Sequence, residues 1–322
     1  MQSLRIPVLL ITYKRLDTTL KVLESIAEVQ PQNLYIASNA PNPLKENDTE
    51  KVMQVRAMLE KKITWPCHVE KLYRTEHLSA KHSIWTAIKW FFENEEKGIV
   101  LEDDVFADKS FYYYCEELLD KYRNDQRIRF INGCNFGYKG LDEKSYGFTR
   151  FMNMWGWASW RRSINIVDSD MNAWKDLPDK NKFLESVIEE QSPNTKKIFV
   201  EYFRPLFDDI TSLKIESWDY PCIFSNFLTN TFCIYPSRNP IKNLGFNNDG
   251  THTNFDSYFI SNLSTGTLGL PLNMNPEVKI DKNYEKFVLE RWAHLKVRNR
   301  LYYSIQYRVY KLKKLLGLSS FF

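Results

Sequence analysis

Residues 98–119 read GIVLEDDVFADKSFYYYCEELL. Ile99, Val100 and Leu101 form the short apolar run of a fully buried strand, and the run ends in three successive carboxylates, Glu102, Asp103 and Asp104. An amphipathic helix starts a few residues later. What the acids mean depends on the strands around them. Upstream, IPVLLIT (6–12), NLYIASN (33–39) and CHVEKLYR (67–74) read as strands. Between them lie helical patterns at 15–29, with Leu16, Leu20, Leu23 and Ile26 on one face, at 48–61 and at 79–96. Strands alternating with helices of crossover length predict an α/β fold, a mostly parallel sheet flanked by helices. Ligands of such sheets sit outside the carboxyl ends of the strands. TYKR (12–15), SNAPN (38–42) and EDD (102–104) all fall there.

From about residue 130 the pattern changes to aromatic, loop-rich segments, followed by helices around 180–191 and 194–213, with no repeat and no low-complexity linker. This predicts one unit over 1–283, with 1–130, which carries the strand ends, as its first half and 131–283 packed on it as its second. Residues 284–322 read as a basic amphipathic helical tail, with Lys and Arg interleaved among Trp, Tyr and Leu.

With 322 residues, 43% of them apolar, the chain can bury a large core, which excludes disorder as the default. Its formal charge of +4 is too small to argue for nucleic acid. Five cysteines, odd in number and without a Cys-x-x-Cys pair, suggest neither a zinc site nor a disulfide framework and point to a reducing compartment. The apolar stretch near Pro7–Thr12 is too short for a signal peptide or a membrane span. The expected location is therefore cytoplasmic, with the basic tail either lying on the anionic inner face of a membrane or packing on the unit over 1–283.

A run of acids after a strand can be a solvated turn, since acids favour the first turn of the next helix. It can also bind a hard divalent cation, which takes one or two carboxylates and fills its remaining positions with water and substrate phosphates. A diphosphate ligand fits the second reading. The chain has no G-x-x-x-x-G-K-[ST] and no G-x-G-x-x-G, which sets aside ordinary ATPases and dinucleotide enzymes and leaves a nucleotide sugar as the natural diphosphate. Trp155-Gly156-Trp157 could offer an aromatic face to a sugar, with core packing as the alternative.

On these residues the chain resembles the metal-dependent glycosyltransferases of GT-A fold. Within them it is most similar to the branch that includes N-acetylglucosaminyltransferase I and to bacterial relatives that build surface polysaccharides. VLLITYKRLDTTLKVLESI resembles the family's first strand and helix, GIVLEDDV its acid motif, ESWDYPC (216–222) its Trp-Asp segment and GFNNDGTHTNF (245–255) a late loop. The resemblance implies a Rossmann-like GT-A fold and an Mn²⁺ or Mg²⁺ ion held by Asp104, with His252 at the cation or diphosphate. It implies a donor site drawn from Thr12, Arg15, Asn39, His82, Glu102 and Asp103, and Asp219 as the base that deprotonates the acceptor. The implied reaction is inverting transfer from a nucleotide sugar, UDP-linked by preference, to a glycan or polyprenyl-linked hydroxyl. Relatives often carry an acid at the end of the second strand where this chain has Asn39, which leaves the base less defined than the metal. The competing readings are a sugar-nucleotide nucleotidyltransferase and a non-catalytic nucleotide-sugar or glycan binder of the same fold. The former usually shows a glycine-rich basic loop after the first strand, which TYKRLDTT lacks.

Overall fold

β1 (Val8–Thr12) is buried along its whole length. In this computed structural model, which describes residues 3–141, 143–245, 263–274 and 277–293, it lies inside the main sheet. The first half continues through α1 (Leu16–Ala27), β2 (Asn33–Ser38), α2 (Asp48–Lys62), β3 (His68–Tyr73), α3 (Ala80–Asn94), β4 (Lys97–Glu102), β5 (Val105–Ala107) and α4 (Lys109–Lys121). The second half adds β6 (Ile128–Asn132), β7 (Tyr146–Thr149), β8 (Trp157–Trp160), α5 (Arg161–Ile164), α6 (Asn172–Asp176), α7 (Lys180–Val187), α8 (Pro193–Thr211), α9 (Tyr220–Thr229), β9 (Phe232–Pro236) and β10 (Ile241–Asn243). Residues 282–293 are helical as well.

Eight strands form one mixed sheet in the order β3-β2-β1-β4-β8-β6-β9-β7, and β10 pairs antiparallel with β5 in a separate ribbon. β3, β2, β1 and β4 are parallel neighbours; β8 enters antiparallel between β4 and β6. The chain runs outward from β1 to β3, then returns with β4 on the other side of β1. The sheet therefore has its topological switch between β1 and β4, the place where an α/β sheet opens a crevice at its carboxyl edge.

Period-two alternation splits the strand side chains between two cores. Val8, Leu10, Ile99 and Leu101 face a core shared with α1, α2 and α4, while Leu9, Ile11 and Val100 face another shared with α3, α8 and α9. Helices on both faces and a mostly parallel arrangement agree with the α/β expectation. In α1 the buried stripe runs through Thr19, Val22, Leu23 and Ile26, whereas Leu16 is exposed in the first turn. Thr19 tolerates burial because its hydroxyl donates to the Arg15 carbonyl at 2.5 Å.

The start of the expected tail belongs to the second core. Tyr284, Val288 and Leu289 are buried there, and the Tyr284 ring stacks on Tyr235 with centroids 3.6 Å apart. Glu285, 2% exposed, accepts from the Arg150 backbone N–H at 2.7 Å and from its guanidinium at 2.7 Å. Residues 294–322, which carry most of the basic charge, lie outside the described residues.

Candidate functional site

The crevice at the β1/β4 switch is built from three carboxyl ends. β1 leads directly through Tyr13, Lys14 and Arg15 into α1, a connection too short for a phosphate-cradling loop. Arg15 turns toward the β4 tip, where its Nη1 lies 2.5 Å from Asp104 Oδ2 and 3.6 Å from Asp103 Oδ1. The Tyr13 N–H donates to the other Asp103 oxygen at 3.1 Å. Burial pushes Asp103 up to about 7, reinforced by the neighbouring Asp104 charge and opposed by Arg15. Glu102 is driven well above the usual carboxylate range, first by burial and then by Asp104, Asp103 and Asp219. Three acids served by one guanidinium leave an excess of negative charge that protons or a further cation must balance.

Asp219 reaches the same tip from the other half of the chain, close enough for its charge to act on Glu102. It stands at the N-cap position of α9, yet its carboxylate makes no cap bond. Ser217 does that work: its Oγ accepts from the Tyr220 N–H at 3.2 Å while its hydroxyl donates to Asp219. Burial raises the Asp219 pKa against the pull of the Ser217 hydrogen bond. The result is a carboxylate held in place by Ser217, with its pKa raised.

Asp104 is covered by the chain that follows β10. The Leu244 N–H donates to the Asp104 carbonyl at 2.6 Å, and a Cβ at Gly245 would overlap Asp104 Oδ2. Only glycine lets the backbone pass so close to the carboxylate. The chain then enters 246–262, so His252 lies outside the described residues.

Beside the acids opens a cleft of about 290 Å³ that includes Tyr13, Asn39, His77, Leu78, Glu102 and Asp103. Thr12 is buried at its rim. Asn39 is largely occupied: its Oδ1 accepts from the Ala40 and Leu78 N–H groups and its amide donates to the Leu78 carbonyl. It shapes the cleft by holding the 77–79 segment against β2. Of the two histidines near this edge, His77 lines the cleft, with Nδ1 2.8 Å from the Ala40 carbonyl. His82 is exposed on α3 and bonds Ser79. The carboxyl-end rule, applied to the third strand, points to His77.

Asp48 is a member that local sequence hides. Almost fully buried, it accepts from the Tyr13 hydroxyl, the Lys14 ammonium and the Asn42 N–H. Burial alone would raise its pKa, but these bonds outweigh it and hold the carboxyl at about 2. Of the Trp155–Trp157 trio, Trp157 is a core residue stacked between Phe92 and Trp218, and Gly156 packs its backbone against Ile241 and Leu101 at φ +60°. Trp155 is partly exposed beside Phe136.

Among the described residues, no group of three or more His, Cys, Asp or Glu is arranged to hold a metal ion. A divalent ion bound chiefly through phosphate oxygens needs only one or two carboxylates. Asp104 therefore suits a cation that arrives with a diphosphate.

No protein-family model and no curated protein matches the chain. Among solved structures it is similar to a mannosyltransferase, PcManGT from Pyrobaculum calidifontis in complex with GDP-Man and Mn²⁺, at 14% identity and a TM-score of 0.37. The match takes in 52% of this chain and 48% of that one, so the chain spans about half the length of that enzyme. HddC from Yersinia pseudotuberculosis is similar at 12% identity and a TM-score of 0.32, over 54% of this chain and 81% of that one. A putative glucose-1-phosphate thymidylyltransferase from Bacillus anthracis, in complex with a sucrose, is similar at 8% identity and a TM-score of 0.41, over 81% of this chain and 97% of that one. At such identities and scores the likeness assigns no activity, and none of these is an enzyme of the N-acetylglucosaminyltransferase I branch.

Proposed function

We propose that this chain is an inverting glycosyltransferase that moves a sugar from a nucleotide sugar, UDP-linked by preference, to a hydroxyl of a glycan or lipid-linked acceptor. The observation that carries the reading is Asp219: a half-buried carboxylate of raised pKa, held by Ser217 and close enough to the acid tip of β4, from the opposite half of the chain, for its charge to act there. A donor's base and ribose would occupy the cleft between Tyr13, His77 and Leu78. Asp104 would hold Mn²⁺ or Mg²⁺ together with the diphosphate, and the ion, when bound, supplies neutralising charge to the leaving group. Arg15 holds Asp104 and Asp103 in place. Glu102 and Asp103, which line the cleft, would take hydrogen bonds from hydroxyls of the donor. Asp219 takes the proton of the acceptor hydroxyl as that oxygen attacks the anomeric carbon opposite the diphosphate.

The three-residue passage from β1 to α1, without glycine, speaks against a nucleotidyltransferase, which needs backbone to wrap a triphosphate. The test is product analysis. With a panel of UDP- and GDP-sugars, Mn²⁺ or Mg²⁺ and mixed glycan acceptors, transfer releases nucleoside diphosphate and EDTA abolishes the release. With nucleoside triphosphates and sugar phosphates, release of pyrophosphate instead would establish nucleotidyl transfer. Nucleotide binding without either product would leave a binder. We place the enzyme on the cytoplasmic side, with residues 294–322 on an anionic membrane surface; no described helix is long and apolar enough to cross a membrane.

A further inference from the structure

The carboxyl edge of the sheet carries a second cavity, of about 340 Å³, on the far side of β8 from the acid tip. β6 and β9 are parallel to each other, and β6 runs in the same sense as β4 because both are antiparallel to the β8 between them. The segments that leave β6 and β9 therefore open on the same edge as the proposed donor site. They supply Lys139 from one side and Ser237, Arg238 and Asn239 from the other, and Ser264 and Thr265 close the cavity.

Its chemistry differs from that of the donor crevice. Among the described residues no carboxylate lines it. Lys139 and Arg238 are both exposed, and among the described residues neither forms an ion pair. Asn239 is 4% exposed, and its amide nitrogen donates to the Ile241 carbonyl at 3.0 Å, which fixes the orientation of the group. Its Oδ1 is then an acceptor with no hydrogen-bond partner. The Gly266 N–H donates to the Asn239 carbonyl at 2.9 Å, which lays 264–266 beside Arg238 and gives the cavity a wall of backbone and hydroxyl groups. Two cations without an ion pair among the described residues, set among several hydroxyls, suit a polyhydroxylated anion: the cations take its charge and the hydroxyls meet its own.

The position also suits an acceptor. β10 connects Asn239 to Leu244, whose N–H is bonded to Asp104. Five residues span at most about 18 Å, so the cavity lies within the length of a short oligosaccharide of the Leu244–Asp104 contact.

We infer that this cavity is an acceptor subsite for an anionic carbohydrate, one bearing a carboxylate or a phosphate. The inference rests on the glycosyltransferase reading and names the class of its acceptor. Uronate sugars and phosphorylated sugars share the chemistry Lys139 and Arg238 recognise, and the test separates them. The full-length chain is titrated at low salt with a uronate-bearing tetrasaccharide, a hexose 6-phosphate, a neutral tetrasaccharide, a neutral hexose and inorganic phosphate. The expected result is about ten-fold or greater preference for one charged sugar over its neutral counterpart, eroded by salt. That preference should collapse in the Lys139→Gln/Arg238→Gln double variant, with nucleoside diphosphate affinity and thermal midpoint unchanged. Asn239→Asp should weaken charged sugars by placing a negative charge in the cavity. Equal binding of charged and neutral sugars, no binding of either, or inorganic phosphate bound as tightly as the sugar phosphate would overturn the inference. Failure of nucleoside diphosphate to bind would instead sink the glycosyltransferase reading, so the two failures are told apart.

Discussion

A single methyl group at residue 245 should be enough to disable the proposed reaction. Its Cβ would overlap Asp104 Oδ2, so either the carboxylate or the covering loop must move, and a displacement of about 1 Å at a reacting centre costs about 10²-fold in rate. Gly245→Ala should cut cation-dependent transfer on that scale while the thermal midpoint stays near wild type, since no core residue is touched. Calorimetry of Mn²⁺ in the presence of nucleoside diphosphate should show the same loss; unimpaired binding and turnover would remove Asp104 from the site. Asp219→Asn tests the other half of the chemistry. The amide keeps the shape and can still be held by Ser217, but it cannot take a proton, so turnover should fall about 10²-fold or more while donor affinity stays within a few-fold. Unchanged turnover would move the base elsewhere; Glu216, the next acid along the chain, is exposed.

The loop after β1 and the loop after β2 are tied to one another through the first turn of α2, by Asp48. Because its folded pKa is near 2, below the ordinary value of about 3.9, the tie stabilises the fold above pH 4 and is lost as pH falls toward 2. Asp48→Asn should cost about 1–3 kcal/mol at pH 7, the scale of charge-assisted bonds, and flatten the dependence of stability on pH between about 4 and 2; an equal slope in wild type and variant would show that the tie carries no weight. Elements of this kind mark the boundary of what sequence discloses. β1, β2 and β4 are legible because strands buried on both faces are nearly continuous in apolar residues, and the acid tip is legible because Glu102–Asp104 lie at such a strand's end. Asp48 is not legible in that way, since what gives it its role is a partner more than thirty residues distant. The four-residue strands β7 and β8 are too short to read from periodicity, and the insertion of β8 between β4 and β6 is a non-local pairing that chain order cannot reveal. Trp157 could be read as a sugar platform or as core; its neighbours Phe92 and Trp218 decide for core.

At the scale of the whole molecule, the helix over 282–293 is a wall of the second core rather than an appendage. A chain ending at residue 283 would leave Arg150 buried without Glu285 and strip Tyr284, Val288 and Leu289 from the aromatic cluster. Arg150 would keep only the more exposed Glu190 as its partner, and losing the buried carboxylate together with three core side chains should lower the thermal midpoint markedly, whereas a chain ending at 293 should melt like the full-length protein. The longer truncation is thus the proper control for membrane binding: full-length protein should pellet with anionic vesicles at low salt and the chain ending at 293 should not. Equal sedimentation of the two would show that residues 294–322 do not bind membrane. The same latch has a consequence in time. Arg150 can meet Glu190 after 40 residues, but Glu285, the more buried of its two partners, comes 135 residues later, and ribosomes add about 5–20 residues per second, so roughly ten seconds of synthesis pass before the second carboxylate arrives. Until then Phe151 lacks Trp292, and the nascent chain holds an aromatic surface whose last wall has yet to be made.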